Sequence, residues 1–369
     1  MTAPRRTAVV ETLLMATIAL AATYPTFVET FRSMVFQTVP RDDYAPYLLH
    51  LAGRGGEVPG APHAYRVLSV AAALPAFYAL PAYRFSRLGD VDPQYLQATE
   101  ALAFVSWIAL AALGVMTYRI ARDRLGATRS ASAAVLLATL LFARYASVSG
   151  VDPLAMLLIG AAVYWLERPW VFAGIVVASA GFNEKVWIVS ALLVGARVLQ
   201  ARAIRPYRVH LLACAVAIAA YATSAAYFRS SGATKPAEPR PVVSNAPLTV
   251  KATVTAKGVA QNAMPIALCV AACALSTLLL RGYRGPYWSA WDIAVPIGLA
   301  TIGVAVNVGY TLGRLVFHAI PVILPPLALA LDGGASARRA GGRLREQLLD
   351  EGFQPAATRV VRVDLADRA

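Results

Sequence analysis

The residues of this chain best suited to chemistry are carboxylates and cations set beside long apolar runs. Asp42 and Asp43 follow the first run, Asp152 opens a later one, Glu184 and Lys185 stand before another, and Arg314 and His318 open the last. An ionisable group at membrane depth or at its rim is costly to desolvate, which makes each a functional candidate by default. A carboxylate within reach of an acceptor hydroxyl can take its proton, and paired cations in a site of low dielectric can hold a departing phosphate. Together these groups suit transfer from a membrane-held, phosphorylated lipid to a hydroxyl-bearing acceptor. Adjacent carboxylates couple and raise one pKa, so Asp42 could tune Asp43 or bind a divalent cation with it; whether a metal is used stays open.

The elements that must position these groups are apolar helices. The 369 residues are 58% hydrophobic and 15% charged, with a mean hydropathy of +0.57. That excludes an ordinary soluble enzyme and any disordered or fibrous class. Segments able to cross about 30 Å of hydrocarbon as helices recur along the chain, which excludes a lone signal peptide or single anchor. They fall near 8–30, 96–119, 130–148, 153–167, 170–183, 186–203, 209–228, 264–281, 287–310 and 315–331. The expected fold is therefore an all-α polytopic membrane protein of about ten spans.

Sidedness follows from arginine. The segment 67–82 is apolar enough to cross but is interrupted by Pro75 and Pro81. Were it to cross, the clusters Arg119–Arg129 and Arg197–Arg208 would face outward; lying along the outer interface instead, it lets both face the cytoplasm, as the positive-inside rule demands. Both termini are then cytoplasmic. Residues 37–95 form a first outer loop carrying interfacial helices, and 229–263 form a second, basic and proline-rich; 1–331 make the membrane domain and 332–369 a cytoplasmic tail. The net charge of +14 belongs to loops beside anionic headgroups, so membrane lipid rather than nucleic acid is the expected partner. Cys214, Cys269 and Cys273 all lie in apolar segments and read as inert buried thiols.

Five stretches carry a family resemblance: Arg41-Asp42-Asp43-Tyr44-Ala45-Pro46-Tyr47, Tyr65-Arg66-Val67-Leu68, Gly150-Val151-Asp152-Pro153-Leu154-Ala155, Gly181-Phe182-Asn183-Glu184-Lys185 and Gly313-Arg314-Leu315-Val316-Phe317-His318-Ala319-Ile320-Pro321. In their order, shared sidedness and long first outer loop, they resemble the GT-C superfamily of polytopic glycosyltransferases that use polyprenyl-phosphate sugars. The resemblance implies an inverting transfer at the outer face of a bacterial inner membrane, with an outer-loop carboxylate as base. It implies Asp43 for that role, with Asp42 beside it. Asp43 is followed at once by Tyr44, and Tyr47 stands four later, one residue off the family's spacing. Arg314, His318, Lys185 and Arg66 would hold the donor phosphate, and Asp152, Glu184, Tyr44 and Tyr47 would contact substrate. The partners implied are a polyprenyl-phosphate sugar and a hydroxyl acceptor on a glycan, glycolipid or protein.

Each candidate also has a structural reading. Asp42, Asp43 and Asp152 can cap helices, since Asp is a favoured N-cap and Pro153 suits a first helical position. Glu184 and Lys185 can pair with each other at the rim. Arg314 and His318, four apart, lie on one helix face and can grip one phosphate or reduce to a snorkelling Arg and a buried His. Arg66 can reach phosphate or headgroups. At the level of the whole protein, a transporter or flippase of an anionic lipid-linked substrate, or a non-catalytic scaffold of polysaccharide assembly, competes with the enzyme. Transporters place ionisable groups near the midplane, whereas here they crowd one rim.

Overall fold

The computed structural model describes residues 3–36, 44–59, 63–80, 92–143, 152–230 and 317–332, and residues 255, 267, 270 and 271 singly. Among the described residues every regular element is helical and no strand occurs. The elements are α1 (Ala3–Phe36), α2 (Tyr44–Leu51), α3 (Val67–Ala71), α4 (Leu74–Ala79), α5 (Pro93–Arg119), α6 (Arg129–Ala143), α7 (Asp152–Tyr164), α8 (Pro169–Ala178), α9 (Glu184–Ala201), α10 (Arg208–Ser230), α11 (Ile320–Ile323) and α12 (Leu327–Leu331).

Helix α5 is the axis of the bundle and packs against α1, α6 and α7. It starts where the sequence says a helix should: the Asp92 side chain accepts from the Gln94 amide, and Pro93 fills the first turn. Helices α1 and α10 lie at the periphery and leave Val10, Leu13, Leu14 and Leu212 well exposed. Such faces are stable only against another apolar phase, and lipid supplies one.

The bundle has two unlike ends. At one, Glu11 of α1 meets Arg122 just beyond α5 and Arg129 of α6, while Tyr164 of α7 donates to Asp123 and Arg197 of α9 stands 3.7 Å from Glu167. Both arginine clusters lie here, together with the start of α1. At the other end, α2 and α4 fold over the first turns of α5, and α3 packs against α2. Gln97 donates to the Phe77 and Leu80 carbonyls, and Tyr78 donates to the Ala52 carbonyl. Gly56 closes the turn after α2 at φ +89°, where an added Cβ would lie 2.2 Å from the Pro46 carbonyl oxygen.

The membrane-spanning character is borne out among the described residues. Three stretches are long and apolar enough to cross a membrane among the described residues: Ala8–Phe31, Pro93–Arg124 and Arg205–Phe228. At about 1.5 Å per residue, the described turns of α6 and α7 rise about 22 and 20 Å, and α8 rises about 15 Å. Helix α8 is confined between Arg168-Pro169 and the turn Ser179–Gly181. The expected span 315–331 is broken, with α11 and α12 separated by Leu324-Pro325-Pro326, because proline lacks the amide that a continuous helix needs. The expected spans 264–281 and 287–310 lie outside the described residues apart from residues 267, 270 and 271.

Candidate functional site

Four segments far apart in sequence meet at the end covered by α2–α4. Arg66 stands just ahead of α3 and is 5% exposed. Its Nε donates to Glu184 Oε2 at 3.1 Å and its Nη2 to Glu184 Oε1, a bidentate pair that fixes both side chains. Its Nη1 donates to the Tyr44 hydroxyl at 2.7 Å. Burial works against the guanidinium charge, but Tyr44 and Glu184 more than offset it, and Asp152 adds to them, so Arg66 is held above its ordinary, already high pKa. It is a permanent cation.

Asp152, the first residue of α7, is fully buried. Lys185 Nζ donates to its Oδ1 at 3.0 Å, and His318 Nε2 lies 3.5 Å from the same oxygen. Asn183 caps α9 by accepting from the Lys185 amide, which fixes the direction of that helix's first turn. The α3 segment is docked from the other side: Ser69 donates to the Phe182 carbonyl, and Leu68 closes on Gly181, where an added Cβ would stand 2.7 Å from Leu68 Cδ1. Gly181 thus lets α3 approach closely enough for Arg66 to reach Glu184.

These contacts revise several expectations. Glu184 and Lys185 do not pair with each other; each takes a partner from another segment, because consecutive residues at a helix start project about 100° apart. His318 sits in the short turn Phe317–Ala319 ahead of Pro321 and not within an α-helix, so a shared helix face with Arg314 is not carried by the described residues. Tyr47 is buried, and its hydroxyl donates to the Ala64 carbonyl at 3.0 Å; it ties α2 to the turn before Arg66, and burial pushes its phenol up to about 12. That hydrogen bond is a scaffold contact. Asp42, Asp43 and Arg314 lie outside the described residues.

The formal charges of Arg66, Lys185, Asp152 and Glu184 sum to zero. A phosphate arriving here must take a cation away from its carboxylate or draw on one from beyond the cluster. Among the described residues, no three His, Cys, Asp or Glu side chains converge in a way that could hold a metal ion.

Other participants were not anticipated. Tyr65 packs edge-on to Tyr221 at 5.6 Å and tilts against Phe228, and Trp187 lies 5.8 Å from Tyr221. Glu100, within an apolar stretch of α5, is 8% exposed, and Glu11 anchors the opposite end. The signal for both acids was their presence inside apolar runs; nothing local marks the aromatics. No known protein family, characterised protein or solved structure matches the chain.

Proposed function

We propose that this protein is a membrane glycosyltransferase that moves a sugar from a polyprenyl-phosphate donor to a hydroxyl acceptor, at the membrane face bearing the buried charge cluster. One observation carries the reading: Asp152, fully buried, is paired with Lys185 and has His318 Nε2 3.5 Å from the same oxygen, beside the Arg66–Glu184–Tyr44 set, so four distant segments gather ionisable groups at one place. Buried ion pairs are weak devices for stability, and apolar packing of the same volume commonly serves as well. Their retention favours a role in binding or chemistry.

In this reading Asp43, one peptide bond from Tyr44, is the general base and Asp42 tunes it. Arg314 supplies the surplus positive charge for the donor phosphate, and Arg66, Lys185 and His318 shape the site around it. Asp152 and Glu184 hold those cations in place. The ten-span topology belongs to the same reading, with α2–α4 on the outer interface and the arginine end in the cytoplasm of a bacterial cell.

Mass spectrometry of lipid retained by the full-length protein tests it, with a polyprenyl-phosphate sugar as the expected finding. Failure to retain such a lipid, and to bind one added in nanodiscs, overturns the proposal. Single cysteines introduced at Arg87 and Arg124 in a background lacking Cys214, Cys269 and Cys273 test the topology. Position 87 should react with an impermeant reagent from outside and position 124 should not; the reverse overturns it.

A further inference from the structure

We propose that Asn183, Trp187 and Ser190 of the α9 segment, with Tyr65, Tyr221 and Phe228, form the subsite for the sugar ring of the donor; this rests on the transferase reading above. Residues 183, 187 and 190 recur at helical spacing and so share one stripe of the α9 segment. The Asn183 amide nitrogen, the Trp187 indole nitrogen, the Ser190 hydroxyl and the Tyr65 hydroxyl are all buried, and none has a hydrogen-bond partner among the described residues. Native proteins seldom leave such groups unsatisfied, because each then bears its full desolvation cost. Elsewhere the unpartnered hydroxyls, such as Ser106 and Ser132, sit singly on other helices.

The chemistry of the missing partner follows from the donors. The indole N–H and the amide NH2 can only donate, so the ligand must bring lone pairs. A polyprenyl tail has none. No cation stands on the stripe, which disfavours the phosphate there. Three rings in sequence, Trp187 tilted against Tyr221 and Tyr221 edge-on to Tyr65, add the apolar surface on which the C–H face of a sugar packs. Tyr65 adjoins Arg66 and Asn183 adjoins Glu184, so the stripe starts where the charge cluster ends. A neutral ring bearing oxygens, joined to a phosphate, fits both halves.

The test is equilibrium binding to the full-length protein in nanodiscs. The probes are polyprenyl phosphate alone and the same lipid carrying glucose, mannose, galactose, N-acetylglucosamine or arabinose. At least one sugar-bearing form should bind about ten-fold tighter than the bare lipid phosphate. The double variant Trp187→Phe/Ser190→Ala, and separately Tyr65→Phe, should cut that preference several-fold and leave affinity for the bare lipid phosphate unchanged; all three changes remove a donor, and Tyr65→Phe does so with the ring kept in place. Equal affinity for bare and sugar-bearing lipids, or an undiminished preference in both variants, overturns the subsite and leaves the transferase reading standing. Lack of affinity for every lipid overturns both.

Discussion

The two ends of the bundle use the same residue types to opposite effect. At the arginine end, Glu11 is shared by Arg122 and Arg129, but Arg129 remains 64% exposed, and Arg124 and Arg168 lie over the rings of Tyr164 and Trp165. At the other end, Asp152 and Arg66 are almost wholly withdrawn from solvent and every contact crosses between distant segments. Water and salt screen the exposed members of the first arrangement, Arg129 above all, so those pairs contribute little each. The second has no such screen, and removing one partner strands a buried charge. Segment 317–332 links the two: His318 touches Asp152, while Asp332 accepts from Thr128 at the start of α6. Exposed charge therefore orients this protein, and buried charge specifies a place within it.

That contrast is exposed most directly by deleting one partner at each end. Glu184→Ala leaves Arg66 buried without its carboxylate and should cost about 3–5 kcal/mol in unfolding measured on the reconstituted protein. A loss under about 1 kcal/mol would make the covered end energetically like the other. Asp43→Asn keeps a capping side chain but cannot take a proton, so transfer should fall about 10²-fold or more with folding unchanged. Near-normal turnover would remove Asp43 as the base.

Gly181→Ala tests how the covered end is assembled. The new methyl meets Leu68, so the variant should lose about 1–3 kcal/mol of stability, and Leu68→Ala in the same chain should recover part of it. An innocuous Gly181→Ala would show that the close approach of α3 is not needed. Smallest of all, Arg129→Ala should change stability by less than about 1 kcal/mol, and less still at high salt. A larger, salt-insensitive loss would give the arginine end the same buried character.

Much of the candidate site was legible in outline. Arg66, Asp152, Glu184, Lys185 and His318 stand out as charges bordering apolar runs, because the cost of moving a charge out of water depends on the residue and its immediate neighbours. Who pairs with whom was not legible. Glu184 and Lys185 look like partners on the page, yet the helix start turns them apart and long-range packing hands each to another segment. Tyr65, Trp187 and Tyr221 carry no local mark either; they are ordinary aromatics until α9, α10 and the turn before Arg66 bring them together.

By itself the sequence determined that this is an all-helical chain with stretches fit to cross a membrane, and that its arginines gather in a few connecting segments. Hydropathy and charge are additive along a chain and need no knowledge of which segments meet. Only the tertiary structure decided that the Tyr47 hydroxyl ties α2 to the Ala64 carbonyl. It likewise decided that Asp152 is shared by Lys185 and His318 while Arg66 is locked to Glu184. Those outcomes depend on a close approach permitted at Gly181, on where prolines break a helix, and on which side chains share a desolvated space once four segments converge.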